Sequence, residues 1–201
     1  MSERRFSSRI LRRFAETVAL ELGADQFSGI LALSQLPSDW TRPAIFLKMN
    51  PVESANTYTA LQTAIRAYYG RGARGVLVRV GQRLWNHLLE DAALGGKAQA
   101  ALIKRLPLAA RRKSTLELLG RFIGNQSGDI TIHTLDLDLL LVDHISPATH
   151  NMHAAKPICF VTQGLIRESL FWSTGQGHDV EEVSCKATDG NTCEFKIITG
   201  R

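Results

Sequence analysis

The hydrophobic pattern of this chain changes its period once, at the polar loop 124–128. Before this loop, apolar residues recur at helical spacing, and between residues 8 and 22 they form a single stripe along a helix. After it, from 130 to 141, apolar residues alternate with threonine, histidine and aspartate, which is typical of strands. The pattern predicts an α+β fold, with N-terminal helices packed on a C-terminal antiparallel four-stranded sheet of β-β-α-β-β order.

Local start and stop signals outline the individual elements. At 201 residues the chain can form one well-cored domain, which we expect to span 1–201, with a helical part at about 8–123 and a sheet part at about 129–198. A short extended run is expected at 44–47. The predicted helices cover 8–22, Asp25 to before Pro37, 54–69, 76–89, 98–106, 108–123 and 159–172. The predicted strands are a closing hairpin of 179–186 and 192–198, preceded by a strand pair or one long bent strand at 130–141.

The net charge of +5 is concentrated in two basic clusters. Such clusters can attract nucleic acid or anionic lipid. No nucleic-acid-binding motif accompanies them, so a solvated helix face is the favoured interpretation and no nucleic-acid partner is expected. Attraction to acidic small molecules or to a membrane surface is left open, and no apolar stretch is long enough to span a membrane. The clusters consist of Arg4, Arg5, Arg9, Arg12 and Arg13, and of Lys104, Arg105, Arg111, Arg112 and Lys113.

The three cysteines, Cys159, Cys185 and Cys193, all lie in the last quarter of the chain. Three cysteines cannot all pair in disulfides, because one is always left over. The small number of cysteines and the lack of a secretory signal predict a cytoplasmic protein. The last two flank a predicted turn at 186–192, so both thiolates can point at one place. A third thiolate would complete three corners of the tetrahedron that structural zinc prefers. Three buried, reduced thiols are the alternative.

Short motifs in the C-terminal third carry a family resemblance. They are 157–160 (P-I-C-F), 164–166 (G-L-I), 183–185 (V-S-C) and 189–195 (D-G-N-T-C-E-F). These motifs resemble the 4-vinyl reductase domain family, whose members show proline-x-cysteine, a glycine-bearing helix, glutamate-x-x-cysteine and a turn into cysteine-x-phenylalanine. Glu182 stands in the glutamate position, and the turn has the family's usual glycine–aspartate pair in reverse order. Segments 69–75 and 79–81 are also similar to the family, so the resemblance covers about 8–198.

The resemblance implies a domain that holds a small hydrophobic ligand between helices and sheet. Its fold would be similar to the ligand-binding modules of nitric-oxide signalling proteins and of Golgi transport-particle subunits. Phenol-sensing relatives hold zinc with the same cysteine spacings, which implies zinc as the cofactor. Stand-alone relatives occur near bacteriochlorophyll biosynthesis, so a tetrapyrrole precursor is one implied ligand. The fold relatives also imply a homodimer.

A zinc ion bound by three cysteines needs a fourth ligand. Family members often carry a cysteine or an acidic residue in the loop after the second strand, where this chain has Asp143 and His144. His144 is the preferred fourth ligand, because imidazole suits zinc. Asp143, His150 and His153 are the alternatives.

Aromatic side chains are the candidates for the ligand pocket, because such pockets are mostly apolar. We expect contributions from Tyr68, Tyr69, Trp85, Phe122 and Trp172. The G-x-G-x-x-G of 70–75 follows a predicted helix rather than a strand, so it predicts a turn and not a dinucleotide site. The chain is therefore predicted to be a non-catalytic ligand-binding protein. The alternatives are a vinyl reductase or accessory in bacteriochlorophyll biosynthesis, and a sensor or adaptor that acts through protein contacts.

Overall fold

A computed structural model describes residues 6–37 and 39–199 of the chain. Within these residues six α-helices come first, and a four-stranded sheet with a seventh helix between its two hairpins follows, which confirms the predicted α+β fold. No helix in this described part is both long and apolar enough to cross a membrane. The helices are α1 (Ser8–Leu22), α2 (Ala24–Leu33), α3 (Pro51–Tyr69), α4 (Ala73–Glu90), α5 (Leu94–Ile103), α6 (Leu108–Ile123) and α7 (Phe160–Thr174). The strands are β1 (Ile130–Leu135), β2 (Asp138–Asp143), β3 (Asp179–Ser184) and β4 (Cys193–Ile198).

The sheet is antiparallel throughout, with the strand order β1-β2-β4-β3. β1 and β2 form a hairpin, so the region 130–141 is a strand pair, and Asp136 with a φ of 52° lies in its turn. Alternate residues of β4 are buried, namely Cys193, Phe195 and Ile197, as the two-residue period of a strand requires. Helices α6 and α7 pack against the sheet, and the buried apolar residues of helices and strands form one continuous core.

A close crossing of α4 and α7 connects the helical part to the sheet. Gly81 on α4 faces Gly164 on α7, and a Cβ added to Gly81 would lie 2.1 Å from the carbonyl oxygen of Val161. Only residues without a side chain let two helix backbones approach this closely. Because α7 begins at Phe160, directly after Cys159, this crossing also positions the first cysteine.

The predicted extended run at 44–47 is wrong, because these residues lie in a 3₁₀ helix, Pro43–Lys48. Proline is well suited to the first position of a helix, where its missing N–H would have no helical partner. The backbone N–H of Ile45 donates to the carbonyl of Arg42 at 3.1 Å, closing the first turn. This compact turn carries Phe46 into the core, where its side chain is fully buried.

Helix α3 begins three residues earlier than the apolar pattern predicted, because a capping box precedes it. The side chain of Asn50 accepts hydrogen bonds from the backbone N–H groups of Val52 and Glu53, each at 3.0 Å. The Glu53 carboxylate in turn accepts from the backbone N–H of Asn50 at 2.9 Å. These reciprocal bonds satisfy N–H groups that the first turn of a helix leaves without partners.

Candidate metal centre and ligand cavity

Three separate elements bring the cysteine side chains to one point. Cys159 precedes α7, Cys185 follows β3 and Cys193 opens β4. The Cys159 sulfur lies 3.5 Å from the Cys193 sulfur and 3.9 Å from the Cys185 sulfur, and the last two sulfurs are 3.9 Å apart. All three side chains are buried and none forms a disulfide. The sulfurs therefore form a compact triangle.

Glu182 supplies a fourth donor to this triangle. Its carboxylate and the three sulfurs all lie within 4.8 Å of one another. One oxygen, Oε2, accepts a hydrogen bond from the backbone N–H of Cys159 at 2.9 Å. The other, Oε1, is buried and has no hydrogen-bond partner among the described residues. A buried oxygen without a partner destabilises the fold, and a cation between the four donors would satisfy it.

The separations of the sulfurs match a tetrahedral zinc site. Zinc–sulfur bonds of about 2.3 Å place the sulfurs of a regular tetrahedron about 3.8 Å apart. The observed separations of 3.5, 3.9 and 3.9 Å are close to that value. Three thiolates and one carboxylate would also complete four-coordination, and a closed set of four protein ligands is the arrangement of structural rather than catalytic zinc.

A β-bulge explains how Glu182 and Cys185 reach the same point. In a regular strand, residues three apart point to opposite faces of the sheet. The pairing of β3 with β4 shifts between Glu182 and Ser184, and the extra residue returns Cys185 to the side of Glu182. Strand alternation therefore could not identify Glu182 as a candidate ligand. The glutamate-x-x-cysteine motif is the sequence signal that points to it.

A polar shell surrounds the sulfurs. The hydroxyl oxygen of Ser146 lies 3.0 Å from the Cys193 sulfur and 3.5 Å from the Cys159 sulfur. The backbone N–H of Lys186 donates to the Cys193 sulfur at 3.3 Å. Ser146 has a left-handed backbone with a φ of 32°, and Asp143 holds this conformation by accepting from the Ser146 N–H at 2.7 Å. Hydrogen bonds of this kind orient metal ligands and tune their basicity.

Burial disfavours negative charge on the carboxylate of this cluster. It raises the pKa of Glu182 to about 8. Hydrogen bonds with Cys185 and Cys193 raise the pKa of Cys159, whereas those from Cys159 and Cys193 lower the pKa of Cys185. A divalent cation bound by all four donors would favour their ionised forms, because its charge compensates theirs.

The residues predicted as the fourth ligand lie outside the cluster. His144 follows the end of β2, is exposed, and places its Nε2 3.1 Å from a threonine hydroxyl on β1. Asp143 is buried, but its carboxylate accepts the N–H groups that shape the loop around Ser146. His153 is exposed and His150 is partly exposed, and neither belongs to the four-donor group. The loop after β2 thus approaches the sulfurs through a serine hydroxyl.

The aromatic residues predicted to line the pocket fall into two groups. Trp85 is fully buried, and its ring centroid lies 5.7 Å from that of Phe122 and 5.5 Å from that of Trp172. Tyr68 and Tyr69 contact each other at the end of α3, with ring centroids 4.9 Å apart, and half of Tyr68 is exposed. Phe122 lines an apolar cavity, whereas Trp85 packs behind it in the core.

This cavity of about 360 Å³ lies among α1, α5, α6 and the end of α4. Ligand pockets typically have volumes of roughly 300–1,000 Å³. The buried part of its lining is apolar and includes Ile10, Leu88 and Leu118. The polar lining residues are Ser7, Arg9, Arg13, Asp91, Gln99 and Arg121. An apolar base with a few polar groups is the usual composition of a small-molecule site.

No protein-family model and no curated protein sequence matches this chain. Solved structures of H-NOX proteins do match. One from K. algicida has a TM-score of 0.61 and 12% identity, covering 97% of each chain. One from S. oneidensis in the Fe(II)NO ligation state has a TM-score of 0.56 and 13% identity, covering 97% of this chain and 99% of that chain. A third, from work on heme distortion in the H-NOX family, has a TM-score of 0.59 and 13% identity, covering 97% of this chain and 95% of that one.

The phenol-responsive sensory domain of the transcription activator PoxR also matches, with a TM-score of 0.49 and 15% identity. That match covers 70% of this chain and 73% of the other. At identities of 12–13%, the likeness to the H-NOX structures establishes a shared fold and nothing finer.

Proposed function

We propose that this chain is a small-molecule-binding domain whose C-terminal part is held together by a structural zinc ion. The proposed ligands are Cys159, Glu182, Cys185 and Cys193. The observation that carries the proposal is the buried four-donor cluster with one carboxylate oxygen that lacks a partner among the described residues. Thiolate-rich tetrahedral sites favour zinc over magnesium or calcium, which prefer oxygen ligands.

The proposed ion is structural because of what it joins. Its ligands come from the start of α7, the end of β3 and the start of β4, so one ion would cross-link the start of α7 to a hairpin more than twenty residues further along the chain. The closed set of four protein ligands leaves no position for a substrate or an activated water. Zinc would therefore stabilise the arrangement of helix and hairpin without taking part in a reaction.

Zinc content and ligand identity can be tested together. We expect elemental analysis of protein purified without chelator to find one zinc ion per chain. Glu182→Gln should weaken zinc binding, because the amide carries no charge, whereas the control His144→Ala should retain the wild-type affinity. The proposed ligand set would be refuted if the histidine variant lost the metal and the glutamine variant kept it.

The ligand-binding part of the proposal rests on the apolar cavity beside α1, α5 and α6. We propose that it holds a small hydrophobic molecule, in line with the 4-vinyl reductase resemblance and with the fold shared with H-NOX proteins. Some of those neighbours are described with heme or with Fe(II) ligands. The described residues that line this cavity include no histidine, cysteine, methionine or tyrosine, the side chains that normally ligate heme iron. We therefore propose a ligand without axial metal coordination, an iron-free tetrapyrrole being one candidate.

Native mass spectrometry of protein from its own host tests the cavity proposal. We expect a bound organic molecule in addition to zinc, and a homodimer in the cytoplasmic fraction. Phe122→Ala should lower the occupancy of the organic ligand without changing the zinc content, because Phe122 lines the cavity but is not among the proposed zinc ligands. A protein that carries no organic ligand and binds no hydrophobic probe would contradict this part of the proposal.

A further inference from the structure

The edge of the apolar cavity carries positive charge. Arg9 on α1 and Arg121 on α6 both line the cavity and are both exposed. The buried lining between them is apolar, with Ile10 and Leu118 at 7% and 1% exposure. Because the exposed lining residues lie where the cavity meets solvent, the entrance is cationic while the interior is apolar.

The acidic residue of the cavity offsets only part of this charge, because the single carboxylate of Asp91 interacts with three arginines, Arg13, Arg12 and Arg9. The carboxylate of Asp91, at the end of α4, accepts a hydrogen bond from Arg13 Nε at 2.7 Å and lies 3.3 Å from a guanidinium nitrogen of Arg12. The guanidinium group of Arg9 donates a hydrogen bond to the backbone carbonyl of Asp91, at 3.1 Å, and not to its carboxylate. Within 6–37 and 39–199, no carboxylate lies within ion-pair distance of Arg9 or Arg121.

We infer that the cavity binds amphipathic organic anions, in which a carboxylate, sulfonate or phosphate is attached to an apolar body. The inference rests on the proposed ligand-binding function of this cavity and specifies the ligand class. The apolar body would contact Phe122, Leu118 and Leu88, and its burial supplies a non-directional attraction. The acidic group would remain at the entrance, where guanidinium groups form strong, charge-assisted hydrogen bonds with carboxylates and related anions.

In this inference Arg9 and Arg121 bind the acidic group of the ligand, which is a more specific role than that of charges on a solvated helix face. A solvated basic face attracts anions of every kind and depends mainly on total charge. The cavity would select a narrower class of ligand, because an apolar part and an anionic group must be present in one molecule. A neutral ligand of the same shape should bind less tightly than the anion.

The test compares naphthoate with naphthylmethanol, its neutral counterpart, by isothermal titration calorimetry on the full-length protein. We expect naphthoate to bind roughly tenfold more tightly or better, which is typical for hydrogen bonds to a charged group. In the double variant Arg9→Gln/Arg121→Gln this difference should disappear, while binding of the alcohol stays unchanged. The control Arg71→Gln, which alters an exposed arginine outside the cavity lining, should keep the preference for naphthoate. Both arginines of the double variant are exposed, so the variant is expected to fold.

Three results would overturn the inference. Equal binding of the acid and the alcohol by the wild type would show that charge plays no part, although the cavity would still be a ligand site. A naphthoate preference that survives in the double variant would place the anion elsewhere. Binding of neither probe would remove the cavity's proposed function as well as the ligand class inferred from it.

Discussion

Replacing Gly81 with alanine tests whether the close crossing of α4 and α7 supports the fold. The new Cβ would lie 2.1 Å from the Val161 carbonyl oxygen and 3.0 Å from both the Gly164 Cα and the Leu165 nitrogen. All three atoms belong to the backbone of α7, so no side-chain rotation can relieve the contact. The two helices must separate by roughly 1 Å, and such a gap forfeits a quarter to a half of the dispersion attraction across it.

The expected loss of stability follows from two opposing effects. Overpacking a dense core typically costs about 1–3 kcal/mol, and a clash with backbone belongs at or above the upper end of that range. Alanine recovers about 1 kcal/mol through its higher helix propensity. We therefore expect Gly81→Ala to lower the free energy of unfolding by about 2–4 kcal/mol.

Urea denaturation followed by circular dichroism would measure this change. Gly29→Ala is the matched control: Gly29 lies inside α2 and no atom lies within 4 Å of the position that a Cβ would take, so this variant should be stabilised by up to about 1 kcal/mol. Displacing α7 should also weaken zinc binding, because Cys159 immediately precedes it. If Gly81→Ala proved as stable as the wild type, the crossing would not be the constraint that the geometry indicates.

Three further changes test other parts of the structure. Burial raises the pKa of Asp143 to about 6 from its ordinary value of 3.8. The folded state therefore holds this proton more tightly, and about 3 kcal/mol of stability should be lost as pH rises from about 4 to above 6. The variant Asp143→Asn should not show this loss, and its stability relative to wild type should therefore change with pH. A stability difference that stays constant with pH would contradict the prediction. Asn50→Ala should cost about 1 kcal/mol in urea denaturation by removing the cap of α3, and no change would refute the capping role. Gly190→Ala should lower zinc affinity, because its Cβ would lie 2.6 Å from Ser184 Oγ and 2.8 Å from the Cys185 carbonyl oxygen; unchanged affinity in a metal competition assay would show that the turn adapts.

Local patterns were sufficient for most of the secondary structure. The apolar stripe of α1 and the alternation in β4 follow from helix and strand periods that depend only on neighbours in sequence. Four consecutive apolar residues at 44–47 have no period of their own, so the pattern does not distinguish an extended run from the 3₁₀ helix in which Phe46 is buried. The apolar pattern does not indicate the start of α3, because the capping box at Asn50 lies outside it.

The sequence by itself determined the helices, the strands and the three cysteines as candidates for one cluster, because periodicity and residue type are local properties. Only the tertiary structure decided that Glu182 rather than His144 lies beside the sulfurs, since a bulge formed in pairing with β4 reverses the alternation of β3. It also decided that Arg9 and Arg121, more than a hundred residues apart, flank one apolar cavity. Such placements depend on how distant elements pack, and no local pattern encodes that packing.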